Sequence, residues 1–128
     1  MANRLYSERW GTLEKSLVTI FADVTIGATG APTIVTKNSK GLKSITRNSA
    51  GDYTMILQDQ YYRLLNLSVL VIKATSAAAS AITLKAVNTK AAGGASIEFV
   101  MFAAAVATDP ASGEELLIEI ELSNSDAP

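Results

Sequence analysis

The sequence predicts an all-β domain, a sandwich or barrel of about eight strands. Three observations carry this. Apolar and polar residues alternate in run after run, the period of a half-buried strand. Gly, Pro, Asn and Asp separate those runs at short intervals. No long helical pattern fills the spaces between. Residues 41–72, GLKSITRNSAGDYTMILQDQYYRLLNLSVLVI, show all three together: strand, turn, strand, polar corner and a long apolar strand.

The bulk properties fit one stable domain. At 128 residues the length is that of a single domain. A chain of this size buries roughly two-thirds of its unfolded surface and needs no disulfide or metal to fold. Apolar residues are 48% of it, too many for a disordered polar chain. The mean hydropathy is positive, which points to apolar surface covered by a partner or by symmetry copies. The net charge of −1 gives no field to attract nucleic acid or an anionic membrane. The sign varies along the chain. Residues 37–47 hold Lys37, Lys40, Lys43 and Arg47 without an acid; residues 109–126 hold Asp109, Glu114, Glu115, Glu119, Glu121 and Asp126 without a base. Two solvated edges are the plain reading, and a basic side facing an acidic side on another subunit is the sharper one. The absence of cysteine leaves the redox compartment unread. The N-terminal MANRLYSERW lacks the apolar core of a secretory signal. The longest apolar runs, 67–72 and 99–107, fall short of the roughly 20 residues of a spanning helix. A protein that is soluble, or part of a soluble assembly, is expected.

In order, residues 1–12 read as an extended arm with isolated aromatics, Tyr6 and Trp10. The β domain spans 13–123, and 124–128 form a polar tail. From 17 to 26, Val18, Ile20, Ala22, Val24 and Ile26 share one parity. Leu13, Leu17, Ile20, Phe21 and Val24 also fit a helical stripe, but the β-branched Val18-Thr19-Ile20 favours a strand. GATGAP (27–32) is a turn, and 33–36 a short strand. Runs 43–47 and 53–58 flank Asn48-Ser49-Ala50-Gly51, a hairpin signal with Tyr53, Met55 and Leu57 on one face. Residues 59–63 make a polar corner. Residues 64–73 are apolar on both parities, the mark of a central or doubly covered strand, and so the expected middle of the sandwich. The Ala/Ser-rich 74–81 is a loop. Ile82, Leu84 and Ala86 point inward from the next strand, Gly93-Gly94 turns the chain, and Ile97, Phe99 and Met101 face in from the one after. Residues 109–113, DPASG, form a strong turn. In the last strand Leu116, Ile118, Ile120 and Leu122 face in, and Glu119 and Glu121 face out.

No constellation carries convincing chemistry. Without histidine or cysteine the usual nucleophile–base pairs are impossible. Ser44 and Lys43 are adjacent, so a strand points them to opposite faces. Only a hard-cation site remains open, and no calcium-loop pattern occurs. Glu119 and Glu121 lie roughly 7 Å apart by strand rise, but on a face where solvation is the plain reading. GATGAP and AAGGAS lack the lysine and following helix of a phosphate loop. Tyr61, Tyr62 and Arg63 are candidates for stacking a sugar or base. Adjacent tyrosines at a strand end most often split, one into the core and one out.

Three segments together carry a resemblance: GTLEKSLVTIFADVTIGATGAPTI (11–34), KGLKSITRNSAGDYTMILQDQYYRLLNLSVLV (40–71) and ATDPASGEELLIEIELSNS (107–125). In order and spacing they resemble head decoration, or cement, proteins of tailed bacteriophages. The resemblance implies a jelly-roll-like β-sandwich on the outer surface of a capsid, clamping neighbouring major capsid proteins. It implies a virion protein made in the host cytoplasm, no catalysis and no cofactor, and a homo-oligomer (dimer or trimer) that contacts neighbours through arms and loops. The arm residues Arg4, Tyr6 and Trp10 become candidate capsid contacts by position, and the corner Tyr61, Tyr62 and Arg63 a rim touching a neighbour. The alternative is another virion β-module, a tail or head-fibre component that binds host carbohydrate through that corner.

Overall fold

The computed structural model describes residues 17–72 and 81–124. The arm with Arg4, Tyr6 and Trp10, and nearly all of the 74–81 loop and the 124–128 tail, lie outside the described residues. The strands are β1 (Leu17–Ile26), β2 (Pro32–Ile34), β3 (Leu42–Ser49), β4 (Asp52–Leu57), β5 (Arg63–Ile72), β6 (Ala81–Asn88), β7 (Ser96–Ala103), β8 (Val106–Ala107) and β9 (Glu115–Ser123). Sheet A runs β2-β1-β9-β5. Sheet B runs β3-β4-β7-β6, with β8 added to β7, and every pairing is antiparallel. The fold is the all-β sandwich that the alternation predicts.

The core is what period-two patterning demands. β1 sends Ile20, Ala22, Val24 and Ile26 inward, and its partner β9 sends Leu116, Ile118, Ile120 and Leu122. Opposite them stand Tyr53, Met55 and Leu57 of β4 and Ile97, Phe99 and Met101 of β7, all fully buried. Each large apolar side chain buried in this way contributes about 1.5–3 kcal/mol. Tyr53 and Phe99 are register partners whose rings stack with centroids 5.8 Å apart.

Five features differ from the sequence reading. Past an irregularity at Leu84/Ala86, Ala86 pairs with the outward Glu98 and is exposed, not inward. β5 is the edge strand of sheet A, not its middle; β9 and β1 are the interior strands. Leu64, Leu67, Val69 and Val71 pack against the core, but Leu70 and Ile72 stay exposed. Apolar residues on both parities therefore reflect an outer face exposed among the described residues, rather than a strand flanked on both sides. The β3–β4 turn is the two residues Ala50-Gly51, because pairing continues to Ser49–Asp52 past an irregularity at Arg47/Ser49. β2 is Pro32–Ile34, and a single 3-10 turn, Thr36–Asn38, occupies the end of the expected 33–36 strand. β8 was not expected. It returns on β7 through Ala104 and Ala105, both with positive φ (49° and 67°). A two-residue turn of that kind normally takes Asn or Gly, so two alanines give no turn signal.

Candidate interaction surfaces

Most of the charged groups that suggest chemistry are tied up inside the fold. Arg47 donates to Asp109 through Nε to Oδ1 (3.0 Å) and Nη2 to Oδ2 (2.8 Å). The Gly51 N–H donates to the same Oδ1 at 2.8 Å. The buried Tyr53 hydroxyl reaches the Gly30 carbonyl at 2.8 Å and Asp109 Oδ1 at 3.3 Å. The cluster joins the β3–β4 hairpin, the turn after β1 and the turn before β9. Burial pushes the Asp109 carboxyl up, but Arg47, Gly51 and Tyr53 together outweigh it and hold Asp109 below the ordinary carboxylate range. Burial and the Asp109 charge push the Tyr53 hydroxyl up, so it remains a donor. Gly30 has φ +76°, and a Cβ there would lie 2.5 Å from Asp109 Cγ. Arg47 is thus bound to Asp109 of its own chain, which takes it out of the expected basic edge.

On the outer face of sheet B two carboxylates share one lysine. Lys85 Nζ bridges Asp52 Oδ2 at 2.7 Å and Glu98 Oε2 at 3.0 Å. Asn48 Nδ2 lies within hydrogen-bond reach of Asp52, Thr54 and Glu98. Burial raises Asp52, but Lys85 and its other partners win and lower it. These carboxylates hold a lysine.

The 59–63 corner carries the chain from sheet B to sheet A. Its tyrosines split as expected: Tyr61 is 8% exposed and Tyr62 43%. Burial and then the Asp59 charge raise the Tyr61 hydroxyl. The Tyr61 N–H donates to Thr89 O and the Tyr62 N–H to Ser123 O, which pins both to neighbouring segments. Lys90 Nζ sits 4.5 Å from the Tyr62 ring centroid. Arg63 opens β5 beside Ser123. Gln60, Tyr61, Tyr62, Lys90 and Asn124 line a shallow dent of about 230 Å³. The corner therefore brings Tyr61, Tyr62 and Arg63 together but offers one aromatic face, already occupied by a lysine.

The outer face of sheet A is different. Phe21 and Leu70 are 60% and 61% exposed, and Leu117 and Ile72 are exposed beside them. The register places Leu70 beside Leu117 and Leu117 beside Asp23; in the next row Phe21, Glu119 and Ser68 align. Phe21, Asp23, Ser68, Leu70, Leu117 and Glu119 help to line a groove of about 440 Å³. The four strands of this sheet contain four acids, Asp23, Glu115, Glu119 and Glu121, and one base, Arg63. Asp23 Oδ2 accepts from Asn38 Nδ2 at 3.1 Å, but its buried Oδ1 has no hydrogen-bond partner. Contact with Asp23 raises the Glu115 carboxyl, first through a hydrogen bond and then through like charge. Among the described residues no three acids cluster so as to hold a metal ion. Sequence alternation had singled out Glu119 and Glu121. Glu115 shares their strand and parity, whereas Asp23, Phe21 and Leu70 join them only through strand register.

A second opening lies between the edge strands β5 and β6. Leu64, Leu67, Val69, Ile82 and Leu84 line a cleft of about 420 Å³ there. Leu84 and Val87 remain exposed although they pair opposite the inward Phe99 and Ile97. Comparison with protein-family models, curated proteins and solved structures finds no match.

Proposed function

We propose that the chain is a structural binding module and, more specifically, a head decoration protein of a tailed bacteriophage. In this reading it sits on the outer surface of the capsid and stabilises contacts between major capsid proteins. One observation carries the binding-module reading. Arg47 with Asp109, and Lys85 with Asp52 and Glu98, are paired within the fold, whereas Ile72, Leu84, Val87 and Val106 remain on the surface. Exposed apolar groups at sheet faces and open edges favour contact with other proteins. The decoration role itself rests on the resemblance of segments 11–34, 40–71 and 107–125. A rigid sandwich suits it, since a cement gains avidity from many weak contacts across a lattice. A dimer or trimer would present those contacts in multiple copies. The carbohydrate-binding alternative needs an aromatic platform, and with Tyr61 buried and Lys90 over Tyr62 the corner supplies a poor one. The test is addition of purified protein to expanded heads assembled without it. Saturable binding and a higher capsid melting temperature support the proposal, and absence of both refutes it.

A further inference from the structure

The outer face of sheet A combines exposed apolar groups with uncompensated acid. Its chemical complement is a segment with apolar groups and bases. Residues 1–16 of this chain, MANRLYSERWGTLEKS, carry Leu5, Tyr6, Trp10 and Leu13 with Arg4, Arg9 and Lys15, against two acids, Glu8 and Glu14. We infer that residues 1–16 dock on the outer face of sheet A of their own chain, covering Phe21, Leu70 and Leu117 and placing bases among Asp23, Glu115, Glu119 and Glu121.

Three arguments select this occupant. The first is charge. A second copy docked symmetrically through the same face would set four carboxylates against four, which like-charge repulsion opposes. The second is reach. Sixteen residues span up to about 55 Å when extended, and β1 with its 10 residues is about 33 Å long. The segment joins β1 at Leu17, at one end of the face, so a reversal still leaves chain enough to cross the patch. The third is tethering. A segment attached to the sheet it covers acts at an effective concentration on the order of millimolar, so modest contacts suffice. The Asp23 carboxylate, whose buried Oδ1 has no hydrogen-bond partner and whose contact and charge raise the Glu115 carboxyl, is where an arginine or lysine donor relieves like-charge crowding. Docking in this way withdraws Phe21, Leu70, Leu117 and the segment's own Arg4, Tyr6 and Trp10 from capsid contact and leaves the β5–β6 side open to partners.

Trp10 is the only tryptophan, so its fluorescence reports on the segment directly. In the full-length protein its emission is expected at shorter wavelength than in a synthetic 1–16 peptide, with severalfold weaker quenching by acrylamide and no change on dilution. The double variant Glu119→Lys/Glu121→Lys, folded by circular dichroism, is expected to move both readouts toward the peptide. A second measurement leaves the charges intact. The chain has no cysteine, and Trp10→Cys with Leu70→Cys should close an intramolecular disulfide in the monomer under mild oxidation. Peptide-like emission in the wild-type protein overturns the inference, as does a Cys pair that fails to close. Shielding that disappears on dilution, or a disulfide found only between chains, transfers the dock to a second copy and overturns the same-chain assignment.

Discussion

Tyr53→Phe isolates the hydroxyl that reaches from sheet B to the turn after β1. The ring lies fully buried against Phe99, so the substitution opens no cavity. It deletes the 2.8 Å hydrogen bond to the buried Gly30 carbonyl and the longer one to Asp109. A buried acceptor left without its donor costs about 1–3 kcal/mol. For a chain of this length that corresponds to a fall of about 4–11 °C in melting temperature. Urea unfolding followed by far-ultraviolet circular dichroism measures it, with an unchanged m value showing that the compactness of both end states is kept. Phe99→Ala provides the scale, since deleting a buried ring costs about 3–5 kcal/mol. A Tyr53→Phe loss below about 0.5 kcal/mol, the range of an ordinary surface change, would refute the claim that this hydroxyl ties the layers together.

Three further outcomes follow from the same structure. Gly30→Ala should cost more than about 1 kcal/mol, because alanine is strained at positive φ and its Cβ would displace Asp109; combined with Tyr53→Phe in urea melts, the losses should be non-additive, since both act on one cluster. Asp109 has a lowered folded pKa, so its stabilisation is complete above the unfolded value of about 3.9 and disappears as pH falls through the folded one. Asp109→Asn should therefore be less stable than wild type at neutral pH and converge with it in acid, as a pH series of thermal melts would show. Ala104→Asn with Ala105→Gly should raise stability by about 1 kcal/mol in urea melts, by relieving two alanines of left-handed backbone.

The local pattern made some of this legible and concealed the rest. β1 and β9 were readable because one parity of each is cleanly apolar. The split of Tyr61 and Tyr62 was readable because adjacent residues at a strand end face opposite ways. β5 misled, since a run apolar on both parities looks the same whether a second layer or nothing yet described covers it. β8 was hidden because alanines rarely turn with positive φ. Asp109 read as a turn residue, and its partner Arg47 lies 62 positions away, beyond any local pattern. The acidic-apolar face was half visible: Glu119 and Glu121 stood out by alternation, but their grouping with Asp23, Phe21 and Leu70 is made by pairing across three strands.

We propose that this chain stabilises a capsid by contact. Calorimetry of expanded phage heads assembled without the chain, with and without purified protein added back, tests it most directly. The account predicts binding at fixed stoichiometry and a higher melting temperature of the heads. Heads that neither bind the protein nor melt differently in its presence would contradict it.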